Sequence, residues 1–553
     1  MAHQEIKQGA EPSALDTGRP PTMGTRGAVA APHYLASQAG LEMLKKGGHA
    51  ADAAIAMNAT LAVVYNHMAG LGGDMFCQVW DSKPQKVEAL NGSGRSGQNA
   101  TIDLYKGKGM DVIPQRGPLA ANTVPGVVDA WAKLHERYGR LNWDELFQPA
   151  IQYAEDGFPI SQKFSDYTIN YASTLQQFPE TARVFLPGRF APEPGQVFRQ
   201  PDLAKSLKLI AEKGPEVFYK GELAESIIRS LQDAGGLLTR EDFAEHSSDW
   251  VEPVRTDYKG LIVTELPPNT QGIATLMILN LIEPYNLNEI GDNTADYYHL
   301  MTEAIKIAFA DRDRWVTDPA FLDIPLDRLT SKDYAQERRS IINMVHAKLE
   351  QEVEPGEPRL AADGNTTYMC AVDDNGNACS LIQSVYHEFG SAFMPAGTGI
   401  LLQNRGSFFK LDPNHPNKLE PKKRTFHTII PAMALKNNRP FMLFGTMGGE
   451  GQPQTQTAML TRVVDFGYNI QQAIEAPRWL YGRTWGEESK SLKLEGRIPD
   501  AVAADLKRRS HDVQMMEDWS QNMGHAQGIT IDQEAGVFHA GADPRGDGLA
   551  LSW

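Results

Sequence analysis

The chain has 553 residues, with 53 Lys and Arg against 69 Asp and Glu and a formal net charge of −16. That balance excludes the basic face a nucleic-acid partner needs and opposes binding to anionic membrane surfaces. Three cysteines, Cys77, Cys370 and Cys379, form too sparse and odd a set for a disulfide framework or metal-finger spacing, and the chain is long enough to build its core without such staples.

Residues 1–27 are polar and rich in Gly, Pro and Thr, and read as a flexible tail. No apolar run there has signal-peptide length, and none elsewhere approaches a membrane span, so the chain is read as cytoplasmic. His33 to Lys46 reads as a helix stopped by Gly47-Gly48. Ala50 to Val64 is apolar on nearly every side and reads as a buried helix. Val127, Trp131, Leu134 and Tyr138 recur at helical spacing, with Gly139 as the C-terminal stop. Asn142 is placed to cap the next helix, Pro149 suits a first turn, and Tyr297 to Trp315 reads as a long helix. The first 350 residues therefore read as mostly helical, with few strands such as Leu261 to Glu265.

The pattern changes near residue 350. Gln351 to Asn365 is acidic and carries Pro and Gly, which predicts an exposed loop. It runs into a β-rich segment from Thr366 to Val372, a turn at Asp373-Asp374-Asn375-Gly376, and a return strand from Asn377 to Val385. Gly399 to Gln403, Ala432 to Leu435 and Phe441 to Phe444 also read as strands.

Common catalytic signatures are missing. There is no phosphate-binding Gly-Lys-Ser/Thr loop, no dinucleotide-fold glycine spacing and no Gly-x-Ser-x-Gly elbow. His387-Glu388 lacks the second His of a zinc helix, so no metal site is expected there.

The junction Asn365-Thr366-Thr367 has two readings. A Thr pair starts a strand well because Thr is β-branched. Alternatively, Thr366 is a nucleophile that becomes active when the chain breaks before it. A Thr hydroxyl needs an adjacent base, and a new α-amine, titrating near 7.7–8.0, would supply one. Gly445-Thr446-Met447-Gly448-Gly449-Glu450-Gly451 likewise reads either as a plain turn or as an oxyanion hole made of two unobstructed backbone N–H groups.

These segments, with others in order, carry a resemblance. Ala31-Pro32-His33-Tyr34, Lys46-Gly47-Gly48-His49-Ala50-Ala51-Asp52-Ala53-Ala54, Gly70-Leu71-Gly72-Gly73-Asp74, Val124-Pro125-Gly126, Gly157-Phe158-Pro159, the Thr366 junction, Gly448-Gly449 and Asp543-Pro544-Arg545 resemble the γ-glutamyltranspeptidase family of N-terminal-nucleophile hydrolases. The resemblance implies a four-layer αββα sandwich, an α/β (α+β) fold with a helix-rich N-terminal part. It implies a proenzyme that cuts itself between Asn365 and Thr366 and works without a metal or an organic cofactor. The large subunit would be residues 28–365 behind the tail and the small subunit residues 366–553, paired as a heterodimer, with further dimerisation left open.

Residue roles follow from the same resemblance. Thr366 matches the nucleophile, Gly448 and Gly449 the oxyanion pair, Ser384 an assisting hydroxyl and Thr367 its neighbour. Arg95 lies about two positions from the family arginine that clamps a substrate carboxylate. Four positions depart from the pattern: Phe408 falls where typical transpeptidases carry the acidic residue that holds an ammonium, His427-Thr428 replaces a serine pair, and Tyr386 replaces an Asn. Arg405 and His427 are then candidates to grip a carboxylate lacking an adjacent amine. This variant is similar to the branch that includes cephalosporin acylases, oxamate amidohydrolase and glutathione-hydrolase-like proteins. The expected activity is cleavage of γ-glutamyl amides through an acyl-enzyme, with water or an amino acid as acceptor. The alternatives are an amidohydrolase of oxamate or a glutaryl- or cephalosporin-type amide, and an uncleaved, inactive binding protein.

Overall fold

The structure, a computed structural model, describes residues 17–348, Val353, 365–482 and 489–553. Fourteen strands make two seven-stranded antiparallel sheets. In chain order they are β1 (Thr22–Gly24), β2 (Ala28–Ala31), β3 (Asp74–Asp81), β4 (Lys86–Gly92), β5 (Asp249–Val251), β6 (Val254–Tyr258) and β7 (Leu261–Glu265). After residue 350 come β8 (Asn365–Val372), β9 (Ala378–Tyr386), β10 (Ala432–Lys436), β11 (Arg439–Thr446), β12 (Ala526–Asp532), β13 (Val537–Ala542) and β14 (Leu549–Ser552). One sheet has the order β14-β2-β8-β9-β3-β4-β5, the other β1-β13-β12-β11-β10-β7-β6.

The sheets stack face to face over an apolar layer that includes Phe76, Tyr368, Ile382, Met433, Leu443 and Ile529. The outer face of the first sheet is covered by α1 (Tyr34–Lys45), α2 (Ala50–Val64), α3 (Val127–Tyr138) and α4 (Gln148–Asp156). The second is covered by α5 (Gly272–Ile282), α6 (Ala295–Trp315), α7 (Gly451–Val464) and α8 (Ile470–Glu475). This is the expected αββα sandwich. Every residue of α2 is buried, as its unbroken apolar pattern requires, and a capping box of His49 with Asp52 starts it.

The alternation along β8 places the site. Tyr368, Cys370 and Val372 face the opposite sheet, while Met369 and Ala371 face the layer around α2. By the same period Thr366 points between the sheets and Thr367 towards α2.

Some expectations are corrected. Most helices precede residue 350, as expected, but so do half of the fourteen sheet strands, more than the sequence suggests. Both sheets draw strands from both sides of residue 365. Residues 22–24, read as tail, form an edge strand paired with β13 (Thr22 with Ala540), because their main chain satisfies that edge; residues 1–16 of the tail lie outside the described residues. Gly399 to Gln403 is no strand: its backbone turns at Gly399 (φ 67°), and Leu402 makes only an isolated bridge to Gly72. Asn142 precedes a short 3-10 helix without a side-chain cap, because its amide bonds Glu145 Oε1 at 2.7 Å instead. The predicted loop over 351–365 lies outside the described residues except for Val353 and the strand residue Asn365.

Candidate active site

Thr366 is fully buried, and its Oγ1 accepts a hydrogen bond from Gln452 Nε2 at 3.2 Å. Gln452 stands in the first turn of α7 and is held by Ile430 N, which donates to its Oε1 at 3.1 Å. Across the strand pair, Asn365 registers with Tyr386 but Thr367 registers with Gln383, so Ser384 and Val385 together oppose Thr366. Ser384 Oγ accepts from Tyr386 N at 2.8 Å and from Arg405 Nη2 at 3.3 Å. Thr367 turns away, donating from Oγ1 to Gln383 O at 3.2 Å.

Gly448 and Gly449 join β11 to α7. Their φ values of 130° and 53° lie where a side chain would be strained, which explains the glycine pair. The turn opens directly into the N-terminus of a 14-residue helix, whose dipole favours negative charge there. The Gly449 carbonyl accepts from Gln271 Nε2 at 2.9 Å.

Arg405 is fully buried and forms no ion pair among the described residues. Nη1 donates to Thr428 Oγ1 at 3.3 Å and Nη2 to Ser384 Oγ, while Nε has no hydrogen-bond partner among the described residues. Its guanidinium lies 4.2 Å from the centre of the Tyr386 ring. Burial lowers its pKa to about 10, so it stays charged at neutral pH. Phe408 packs 5.3 Å from Tyr386 and stacks 5.0 Å from Phe426, forming an apolar wall.

His427 Nε2 lies 3.2 Å from Asp74 Oδ2, and its buried Nδ1 has no hydrogen-bond partner among the described residues. Burial, aided by Arg405, holds the imidazole well below its usual pKa, so it is neutral. Burial raises Asp74 to about 7, although Gln403 Nε2, Gly94 N and Gly126 N all donate to Oδ1. The preceding Gly73 is demanded by close approach: a Cβ there would lie 2.3 Å from Ser384 O.

The structure thus brings together Thr366, Ser384, Tyr386, Arg405, Phe408, His427 and Thr428, with Gly448-Gly449 reached through Gln271, whose Nε2 also donates to Thr428 O at 2.7 Å. It does not bring in the Arg95 guanidinium, which pairs with Asp249 Oδ2 at 3.2 Å on β5, is 37% exposed, and shares that carboxylate with Arg424. Three residues of the cluster escaped sequence reasoning. Asp74 sat inside a quoted glycine motif, Gln452 followed another, and Gln271 carried no signal.

Two other clusters lie apart. His299, Glu303 and His511 are the one group of metal-ligating type among the described residues. Their atoms are already used: His299 Nδ1 bonds His511 Nε2 at 2.8 Å, and Glu303 takes Lys306 Nζ at 2.7 Å and Lys348 N at 3.0 Å. They hold the main chain at Asn343 and Lys348. Asp543 and Arg545 belong to a buried ion network with Arg478 and Glu495. Burial alone would raise Asp543, but Arg478 and Arg545 hold it below the usual carboxylate range.

The γ-glutamyltranspeptidase profile (Gamma-glutamyltranspeptidase) matches residues 36–553. The chain is 49% identical over 529 residues to the Glutathione hydrolase-like YwrD proenzyme of Bacillus subtilis, covering 96% of this chain and 99% of that relative. It is 39% identical to the Oxamate amidohydrolase proenzyme of Klebsiella pneumoniae, over 96% of this chain and 99% of that one. The crystal structure of cephalosporin acylase from Bacillus halodurans superposes with a TM-score of 0.91 at 38% identity, covering 99% of both chains. With a profile match over most of its length and relatives covered end to end, the chain belongs to the γ-glutamyltranspeptidase family.

Proposed function

We propose that the chain is a self-processing amidohydrolase whose nucleophile is Thr366 and whose substrates are amides of carboxylate-bearing acyl groups. The observation that carries the reading is Arg405. A buried guanidinium is costly unless an anion accompanies it, and among the described residues this one hydrogen-bonds the hydroxyls of Thr428 and Ser384 and faces the Tyr386 ring, with no carboxylate paired to it. A substrate carboxylate fills that role, with His427 Nδ1 beside it.

In processing, Thr366 Oγ1 attacks the Asn365 carbonyl carbon. The C–N bond breaks, an ester forms, and water hydrolyses it to an Asn365 carboxylate and a free Thr366 α-amine. In turnover that amine takes the Oγ1 proton as Oγ1 attacks the substrate carbonyl. Backbone N–H groups at Gly448 and Gly449 receive the developing oxyanion. The proton passes to the leaving amine, and water or an amino acceptor discharges the acyl-enzyme. The shared sheets support a large and a small fragment that stay together after cleavage.

The second reading is a γ-glutamyl amide, favoured by the likeness to a glutathione hydrolase-like protein. A glutamyl group adds an ammonium. Phe408 and Tyr386 offer it rings, and the Asp74 carboxylate is already engaged by four groups.

Intact mass under denaturing conditions tests the core of the proposal. Wild type should yield fragments of about 40 and 21 kDa from the 61.0 kDa chain, and Thr366→Ala a single chain. Assays with monoamides of dicarboxylic acids and with glutathione then separate the two substrate readings. A wild-type chain that stays whole and shows no amidase activity would leave an inactive binding scaffold.

A further inference from the structure

Gln271 is fully buried where β7 leads into α5, and it touches both halves of the site without belonging to either. Its two amide hydrogens are divided. Nε2 donates to Gly449 O at 2.9 Å, in the oxyanion turn, and to Thr428 O at 2.7 Å. Thr428 Oγ1 in turn receives Arg405 Nη1 at 3.3 Å. The Gln271 backbone N–H donates to His427 O at 3.0 Å, adding a third tie to the carboxylate side.

The amide cannot flip. Its Oε1 receives Arg312 Nη1 at 2.9 Å, and a guanidinium only donates. Arg312 is itself pinned on α6 by Asp313 Oδ1 at 2.6 Å and by Glu450 Oε1 at 3.4 Å, inside the oxyanion turn. Its guanidinium also lies 3.8 Å from the centre of the Phe309 ring.

We infer that Gln271, oriented by Arg312, is a positioning residue that sets the spacing between the oxyanion turn and the carboxylate-binding guanidinium, and thereby the acyl length the enzyme accepts. The inference rests on the proposed roles of Thr366, Gly448-Gly449 and Arg405. One planar amide ties the main chain at the scissile carbonyl to the main chain at the substrate carboxylate. Substrates differing by one methylene between those groups are told apart only while that spacing is rigid, because small misplacements of reacting atoms carry large rate costs.

The test compares kcat/KM for the monoamides of the two-carbon and five-carbon dicarboxylic acids in wild type and Gln271→Glu. The change preserves volume and the Arg312 partner but removes both N–H donors. The expected result is a shift of about tenfold or more in the ratio of the two kcat/KM values. A purely structural residue would lower both substrates equally, so an unchanged ratio overturns the inference. If Gln271→Glu does not fold, Arg312→Lys and Arg312→Met read the same ratio: Lys keeps one donor to Oε1 and should stay nearer wild type, and equal ratios in both overturn the inference. Failure of the underlying reading would show differently, as a wild-type chain that neither cleaves before Thr366 nor hydrolyses either monoamide.

Discussion

Asp74 Oδ2 lies 3.2 Å from His427 Nε2, and the pair makes the imidazole's outer nitrogen dependent on one proton. With Asp74 protonated, its O–H donates to Nε2, and the neutral ring carries its hydrogen on Nδ1. With Asp74 ionised, Nε2–H donates to the carboxylate, and Nδ1 becomes an acceptor. Asp74 titrates at about 7 because burial outweighs its three donors. A substrate carboxylate beside Nδ1 is therefore met by a donor below about pH 7 and by a lone pair above it. KM for a dicarboxylic monoamide is expected to rise as pH passes upward through about 7. Asp74→Asn mimics the protonated state, with Oδ1 still accepting and Nδ2–H donating to His427, so its KM should be flat over the same range. A wild-type KM profile matching that of the variant would refute the switch.

The same carboxyl gives stability a pH dependence of defined sign. Its folded pKa of about 7 exceeds the unfolded value near 3.9. The folded state thus holds a proton the unfolded state has released between these values. Asp74 stabilises most below the unfolded pKa, and that contribution is lost as pH rises through about 7. Thermal melts at pH 4.5 and 7.5 should show a larger fall for wild type than for Asp74→Asn; parallel curves would show that the carboxyl is not protonated in the fold.

Arg405 carries the substrate reading. Arg405→Lys keeps a charge but loses the planar fork that reaches Ser384 and Thr428 together. The expected loss in kcat/KM for a dicarboxylic monoamide is about 10- to 150-fold, the weight of one charge-assisted hydrogen bond of ~1.5–3 kcal/mol. Cleavage before Thr366 should persist, because the Asn365 carbonyl is already in place and needs no carboxylate anchor. An uncharged amide substrate should lose far less, and equal losses for both would remove Arg405 from substrate recognition.

What could be read from sequence was what local chemistry sets. The β8–β9 hairpin announces itself in Asp373-Asp374-Asn375-Gly376, and Gly376 takes the positive φ the turn needs. Helix α2 follows from an apolar run with its own capping box. The edge strand β1 and strand β2 escape a local reading because their partners come from after residue 365, β1 pairing with β13 and β2 with β8 and β14. Gly399 to Gln403 has a strand's composition, but the contact of Leu402 with Gly72 is an isolated bridge that no ladder extends. The Asp74–His427 contact spans 353 residues, and Gln271 acts through carbonyls at 428 and 449, so no local pattern betrays either. Arg95 resembled a clamp by position, yet Asp249, on a strand far along the chain, holds its guanidinium.

Phe408 decides between the two substrate readings. Its ring packs beside Tyr386 and stacks on Phe426, and these rings carry no anion to neutralise an ammonium. Phe408→Asp places a carboxylate in that wall. With a dicarboxylic monoamide the new charge competes with the substrate for Arg405, so KM should rise. With a γ-glutamyl amide the same carboxylate meets the α-ammonium and offsets that loss. The ratio of kcat/KM for the γ-glutamyl amide over the monoamide is therefore expected to increase, by about tenfold for a net gain of ~1.4 kcal/mol. The cost of the buried charge applies to both substrates and cancels in the ratio. A ratio that stays put, in a variant that still cleaves before Thr366, would show that the ring does not face the acyl group and that selectivity is set elsewhere in the pocket.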